Sequence, residues 1–204
     1  MEPDDLVALG AATLGESGGH PMAPRIRPAW AGATAAGPAY TAACAPGDNL
    51  AIHVAVTLAP PGSVLVADAS AEPERGYWGE VLATAALARR LAGLVIDGCV
   101  RDVDALQSHG WGTFSTGVAL TGATKQKPCE VGGAVTVGGV TVATGDWVVG
   151  DADGVVVIRA DELGAVAEAG RARAEAEQEL FAHLRAGATT VELLGLDDSG
   201  VKRP

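Results

Sequence analysis

An α/β sandwich with peripheral helices, and not a regular doubly wound sheet, is the fold class this sequence predicts. Two patterns carry that reading. Short β-branched runs joined by tight turns crowd the second half of the chain, at 113–118, 135–142 and 147–158. Stretches rich in Ala and Leu with helical spacing surround them, at 5–16, 49–59, 81–92 and 161–185. A chain of 204 residues suffices for one domain with a real core.

Residues 5–16 read as a helix, stopped by Gly18-Gly19 and the proline-rich 21–28 loop. The small residues of 32–44 read as a strand pair or one long strand. A helix over 49–59 ends at Pro60-Pro61-Gly62, and 63–67 is a strand. A polar loop, 68–76, leads to a helix over 81–92, where Ala83, Leu87 and Leu91 share one face. Gly79 stands at its cap position, Arg89 and Arg90 fall in its last turn, and Gly93 follows as a stop. Leu94-Val95-Ile96 is a short apolar run, a buried strand that ends at Asp97-Gly98. Residues 103–109 form a short helix and 113–118 a strand. Gly138-Gly139 turns a hairpin between 135–137 and 140–142. Strands at 147–149 and 155–158 flank the turn Asp151-Ala152-Asp153-Gly154. Asp161 then caps a long helix to about Arg185, whose Glu and Arg residues make a solvated face. No internal repeat or linker interrupts the chain.

The chemistry concentrates at Arg101-Asp102, beyond the strand that follows the 81–92 helix, and at Glu80, where that helix begins. Ligands of open α/β sheets usually lie outside the carboxyl ends of strands. The first amides of the helix, at Glu80, Val81 and Leu82, are donors at the positive end of a dipole and suit a carboxylate. Arg101 can grip a carboxylate or enolate through two parallel bonds. Asp102 and Glu80 are hard oxygen donors suited to an octahedral Mg²⁺ or Mn²⁺ that keeps several waters. On residue identity alone, a surface ion pair and an ordinary acidic helix start are the better explanation of these residues, because acids are common in first turns.

The wider pattern resembles a family. Gly76, three residues, Glu80, twenty residues, then Arg101-Asp102 matches the signature of the RraA-like proteins. Within them the chain looks most like the 4-hydroxy-4-methyl-2-oxoglutarate / 4-carboxy-4-hydroxy-2-oxoadipate aldolases. Further similar blocks are Ala12-Thr13-Leu14-Gly15-Glu16-Ser17, Ala45-Pro46-Gly47-Asp48-Asn49 with His53, Pro61-Gly62-Ser63-Val64-Leu65-Val66, Gly145-Asp146, and Asp151-Ala152-Asp153-Gly154-Val155-Val156-Val157. The resemblance covers roughly 5–196 of a single 1–204 domain with a short C-terminal tail. It implies a β/β/α swivelling-domain type of sandwich and a metal-dependent pyruvate aldolase with oxaloacetate decarboxylase activity. By the same resemblance, Asp102 binds Mg²⁺ (or Mn²⁺) directly and Glu80 holds it through water. Arg101, Gly79 and the amides of Val81 and Leu82 hold the pyruvyl part of an oxo-acid substrate. Glu16 reaches in from a neighbouring subunit of a homotrimer or dimer of trimers, with sites at the interfaces. Catalysis would fall to Arg101, Glu80 and Glu16. The chain departs from the family at 125–135 (KQKPCEVGGAV), where a loop would meet the distal end of the substrate, and in its short C-terminus.

Composition bounds the alternatives. A net charge of −11 lacks the basic footprint that nucleic acid requires. Nothing approaches ~20 uninterrupted apolar residues, the length of a membrane span. The acidic start Met1-Glu2-Pro3-Asp4-Asp5 is unlike a signal peptide, and Cys44, Cys99 and Cys129 lack metal spacing; both favour a cytoplasmic setting with reduced thiols. Cys99 reads as a small buried hydrophobe. Asp151-Ala152-Asp153-Gly154 lacks the remaining acids of a Ca²⁺ loop and reads as a tight turn. His53 reads as a packed histidine and His109 as a candidate behind Arg101. Two other functions stay open: a protein-binding regulator of a ribonuclease without catalysis, and a dedicated oxaloacetate decarboxylase.

Overall fold

The computed structural model describes residues 2–202, so Met1 and the last two residues of the tail lie outside it. Two helices, α1 (Pro3–Leu9) and α2 (Ala11–Glu16), open the chain where the sequence predicts one. Gly10, at φ +84°, separates them. The Asp151 carboxylate accepts the Ala11 amide at 2.7 Å and so caps α2 from across the fold. Two short strands, β1 (His20–Pro21) and β2 (Arg27–Pro28), take the two edges of the main sheet, where proline removes no ladder bond.

The centre is β3 (Ala35–Ala43), a single long strand. From it the chain runs through α3 (Leu50–Leu58), β4 (Val64–Asp68), β5 (Gly76–Trp78), α4 (Glu80–Ala88), β6 (Gly93–Asp97), β7 (Cys99–Val100), α5 (Val103–Ser108), β8 (Thr113–Ser115) and β9 (Gly117–Val118). There follow β10 (Glu130–Val131), the hairpin β11 (Val135–Val137) and β12 (Val140–Val142), β13 (Trp147–Gly150), β14 (Val155–Ile158), α6 (Leu163–Arg185) and α7 (Thr190–Leu193). The main sheet has the order β1-β14-β13-β3-β4-β6-β8-β2, with β10 on the free end of β3. Its centre, β3-β4-β6-β8, is parallel, and both flanks are antiparallel.

The layers follow from which faces are apolar. Helices α3 and α4 cover one face through Ile52, Val56, Leu82 and Ala83 on Leu65, Leu94 and Ile96. The β11–β12 hairpin covers the other through Val135, Val137 and Val142 on Val64, Val66, Val95 and Phe114. Helices α1, α2 and α6 close over β13 and β14. All of β6 is buried, as befits a parallel strand covered on both faces.

Three sequence expectations shift. The helix expected over 81–92 ends at Ala88, because Arg90 turns left-handed at φ +59° and Leu91 N–H donates back to Ala86 O at 3.0 Å. Gly93 is therefore no helix stop; it opens β6, where a Cβ would lie 2.6 Å from that of Ala35. The run 113–118 divides at Thr116 between β8 of the main sheet and β9 of a separate parallel sheet, β5-β7-β9. Finally, α6 has Glu162 at its N-cap with no side-chain bond, so Asp161 does not cap it.

Candidate active site

The small β5-β7-β9 sheet builds the site. Gly76 lies opposite Cys99 and Trp78 opposite Val100, and Arg101 N–H donates to Trp78 O at 2.8 Å. That pairing lays 76–80 alongside 99–102. Two glycines make the approach possible. A Cβ on Gly76 would meet Ala119 O at 2.5 Å and the Arg101 side chain at 3.1 Å; one on Gly79 would meet Asp102 Oδ2 at 2.3 Å. Asp102 takes a left-handed backbone, φ +57°, which a short polar side chain tolerates. Its Oδ2 accepts the Glu80 amide at 3.0 Å. The Gly-x3-acid-x20-Arg-Asp spacing thus has a packing reason: the glycines clear space for the pair, and the helix start anchors the aspartate.

These residues open onto a cavity of about 190 Å³, lined by Gly79, Val81, Leu82, Arg101 and Asp102 among others. The Arg101 guanidinium makes no hydrogen bond among the described residues, its nearest acid being Asp102 at 3.7 Å. One correction applies to the helix start: the Glu80 amide, expected to be open to a ligand, is taken by Asp102, which leaves Val81 and Leu82. The Glu80 side chain stands outside the lining, exposed, 3.8 Å from His109 Nε2. His109 is therefore beside Glu80, not Arg101. Glu16 lies elsewhere in the same chain, ion-paired with Arg173 of α6 and lining a separate groove with Ala11 and Pro21.

The cavity also holds residues that the sequence reading did not assign to the site, among them His53, read there as a packed histidine. Asn49 donates to Tyr77 O at 2.7 Å, which leaves its buried Oδ1 without a partner; His53 Nε2 and Trp78 Nε1 are likewise buried and unpartnered. Buried polar atoms of this kind want a ligand or water. Asn49 and His53 are four apart at the start of α3, a spacing that puts them on one helix face and could have flagged them. Lys125 arrives from the 125–135 segment, expected to meet the distal end of the substrate, although nothing singled out the lysine within it. Asp48 holds that segment: fully buried, it accepts the amides of Leu50 (2.9 Å), Gln126 (2.7 Å) and Lys127 (3.2 Å) and the Thr124 hydroxyl (2.7 Å). Burial would raise its pKa, but these bonds outweigh it and hold the carboxyl well below its usual range. Burial, aided by the Lys125 charge and opposed by Asp48, pushes His53 down, toward a neutral imidazole. Stacking of Trp78 on Trp111, centroids 4.9 Å apart, backs the cavity.

Among the described residues no three His, Cys, Asp or Glu gather as a metal cluster. What the cavity offers a cation is Asp102, with Glu80 at its edge. One or two carboxylates plus water suit Mg²⁺ or Mn²⁺, and hard oxygen donors fit such an ion. The rest of the site suits an anion: a guanidinium with only a long contact to Asp102, a lysine and two helix-start amides, set in a chain of net charge −11.

Known proteins resemble the chain in sequence and in fold. The family profile described as RraA-like, Aldolase/RraA, matches residues 10–157. A Halalkalibacterium halodurans protein provisionally named 4-hydroxy-4-methyl-2-oxoglutarate aldolase is 38% identical over 122 residues, 60% of this chain and 58% of that protein. The match thus spans little more than half of that relative's length. The crystal structure of an uncharacterized protein from Pseudomonas syringae pv. tomato superposes with a TM-score of 0.81 at 27% identity, covering 91% of this chain and 92% of that one. A Streptomyces coelicolor structure, described as an unusual member of the RNase ES inhibitor RraA protein family, superposes with a TM-score of 0.73 at 25% identity over 88% and 94%.

Proposed function

This chain belongs to the RraA-like family, and from that premise we propose that it is a carbon–carbon lyase. It cleaves a 4-hydroxy-2-oxo di- or tricarboxylate, of the 4-hydroxy-4-methyl-2-oxoglutarate type, to pyruvate and a second 2-oxo acid. The observation that carries this reading is the unbonded Arg101 guanidinium, facing the same cavity as the Val81–Leu82 helix start and the Asp102 carboxylate. The relatives' provisional names supply the substrate type.

In the retro-aldol step the C4 hydroxyl loses its proton and the C3–C4 bond breaks. Its electron pair passes to the C2 keto group as an enolate, which takes a proton at C3 to become pyruvate. Arg101 places its charge where that enolate develops. The amides of Val81 and Leu82 hold the pyruvyl carboxylate at the positive end of α4. Asp102 would hold Mg²⁺ or Mn²⁺ directly and Glu80 through water. When bound, that ion supplies Lewis acidity to the keto group. At the distal end, Lys125 meets a second carboxylate and neutral His53 can donate to it, while Asn49 Oδ1 can only accept and so suits the substrate hydroxyl. Decarboxylation of oxaloacetate needs the same enolate and follows as a second activity. Glu16 enters from a neighbouring copy in a trimer or a dimer of trimers.

Pyruvate release from 4-hydroxy-4-methyl-2-oxoglutarate and from oxaloacetate, each with Mg²⁺ and with EDTA, tests the proposal. The expected result is metal-dependent release from both, reduced at least about 100-fold in Asp102→Ala. Release from oxaloacetate alone would point to a dedicated decarboxylase. Silence on both would favour a non-catalytic, ribonuclease-binding regulator, which the likeness to the Streptomyces coelicolor structure supports.

A further inference from the structure

Strand β10 crosses the end of β3 antiparallel, Glu130 opposite Ala43 and Val131 opposite Ala42. Continued one step beyond the ladder, that register would set Cys129 opposite Cys44, and the Cys129 thiol is close enough to bear on the Cys44 thiol. Gly132 N–H donates to Thr41 O at 2.9 Å, so alternation along the ladder makes the Cys129–Cys44 position a non-hydrogen-bonded pair. Pairs of that kind hold their Cα atoms about 4.5 Å apart with side chains on the same face. A disulfide bridges Cα separations of about 4.4–6.8 Å. Cys44 and Val131 both pack on the α3 side of the sheet, as the shared face requires. Cys129 is exposed and Cys44 half-buried, and both are free thiols.

We propose that Cys44 and Cys129 form a reversible cross-strand disulfide, made by exchange with a low-molecular-weight disulfide. The Cys129 thiolate attacks one sulfur of the oxidant and expels the first small thiol. Cys44 then loses its proton and attacks the Cys129 sulfur of the mixed disulfide, expelling the second. Two protein thiols are oxidised, the reagent is reduced to two thiols, and the two protons end on those thiols. Burial, with Asp68, Cys129 and Asp48 nearby, pushes the Cys44 thiol up to about 12. Resolution by Cys44 is therefore the slow step and quickens as pH rises. The bond would latch the 126–131 segment, which follows Lys125 of the cavity, onto the end of the central strand. None of this depends on the lyase reading.

The test treats the full chain with glutathione disulfide, quenches in acid and maps the peptides, for the native protein and for protein unfolded in urea. The expected product is a Cys44–Cys129 cross-link within one chain, reversed by dithiothreitol and formed at least about 10-fold faster in native than in unfolded protein. Cys44→Ser should stop at a glutathione adduct on Cys129. A native protein that keeps its thiols, that stops at that adduct, or that cross-links through Cys99 or between chains would overturn the proposal.

Discussion

Gly79 lies in extended backbone at φ −165°, so any residue could adopt its conformation. What forbids a side chain there is the Asp102 carboxylate, 2.3 Å from where a Cβ would sit, with Arg101 Cγ at 3.0 Å. Gly79→Ala should therefore push the Arg101-Asp102 pair aside and lower lyase turnover by about 100-fold or more. The cost in stability should stay near 1–3 kcal/mol, the usual range for overpacking. Steady-state kinetics with urea unfolding separates the two, and full activity in the variant would remove Gly79 from the argument. The spacing of Glu80 and Arg101-Asp102 could be picked out in the sequence because it matches a family pattern in one dimension, whereas the exposed place of the Glu80 side chain, outside the cavity lining, could not. Lys125 was not singled out, because what marks it is a place on a cavity wall, which does not exist before the chain folds.

Among elements, α4 shows how a local signal can be read one step off. Two arginines and a following glycine resemble a helix end at Gly93, yet the left-handed residue that ends the helix is Arg90. An L-residue in that conformation costs about 1–2 kcal/mol. Arg90→Gly should thus leave stability unchanged or raise it by up to about 1 kcal/mol, after the extra unfolded-chain entropy of glycine is offset. Arg90→Val should lower stability by about 1 kcal/mol or more, the β-branched side chain being worst placed there. A urea midpoint for the glycine variant well below that of the parent would contradict this account. The break at Gly10 is of the same type. A helical pattern runs across it, but α2 starts anew because Asp151, 140 residues on, accepts its first amide.

At the scale of the whole molecule, Asp48 joins the α3 start to the 124–127 segment and so couples the cavity to global stability. Its carboxyl is depressed in the fold relative to an unfolded value near 3.9. The sign follows by linkage: this contribution is full above about pH 4 and is lost as pH falls toward the folded value. Stability should accordingly drop in acid below about pH 4. Asp48→Asn should lower neutral-pH stability by about 2 kcal/mol or more, since in either orientation its NH2 group opposes one or two backbone amides that now donate to a carboxylate oxygen, and should flatten that acid slope. Unfolding free energies measured from pH 7 to pH 3 test both, and parallel curves for the two proteins would refute the assignment. No helix among the described residues is long and apolar enough to cross a membrane.

By itself the sequence determined the longer helices and strands, the buried strand at 94–96 and the Gly-acid-Arg-Asp spacing. These depend on period, propensity and spacing, which act over a few residues. Only the tertiary structure decided that Gly76 and Gly79 serve as room for Arg101 and Asp102, that Asn49, His53 and Lys125 share their cavity, and that β10 pairs with the end of β3 beside Cys44. Each of these depends on strand register and on which loops meet, and those are set by the packing of residues far apart in the chain.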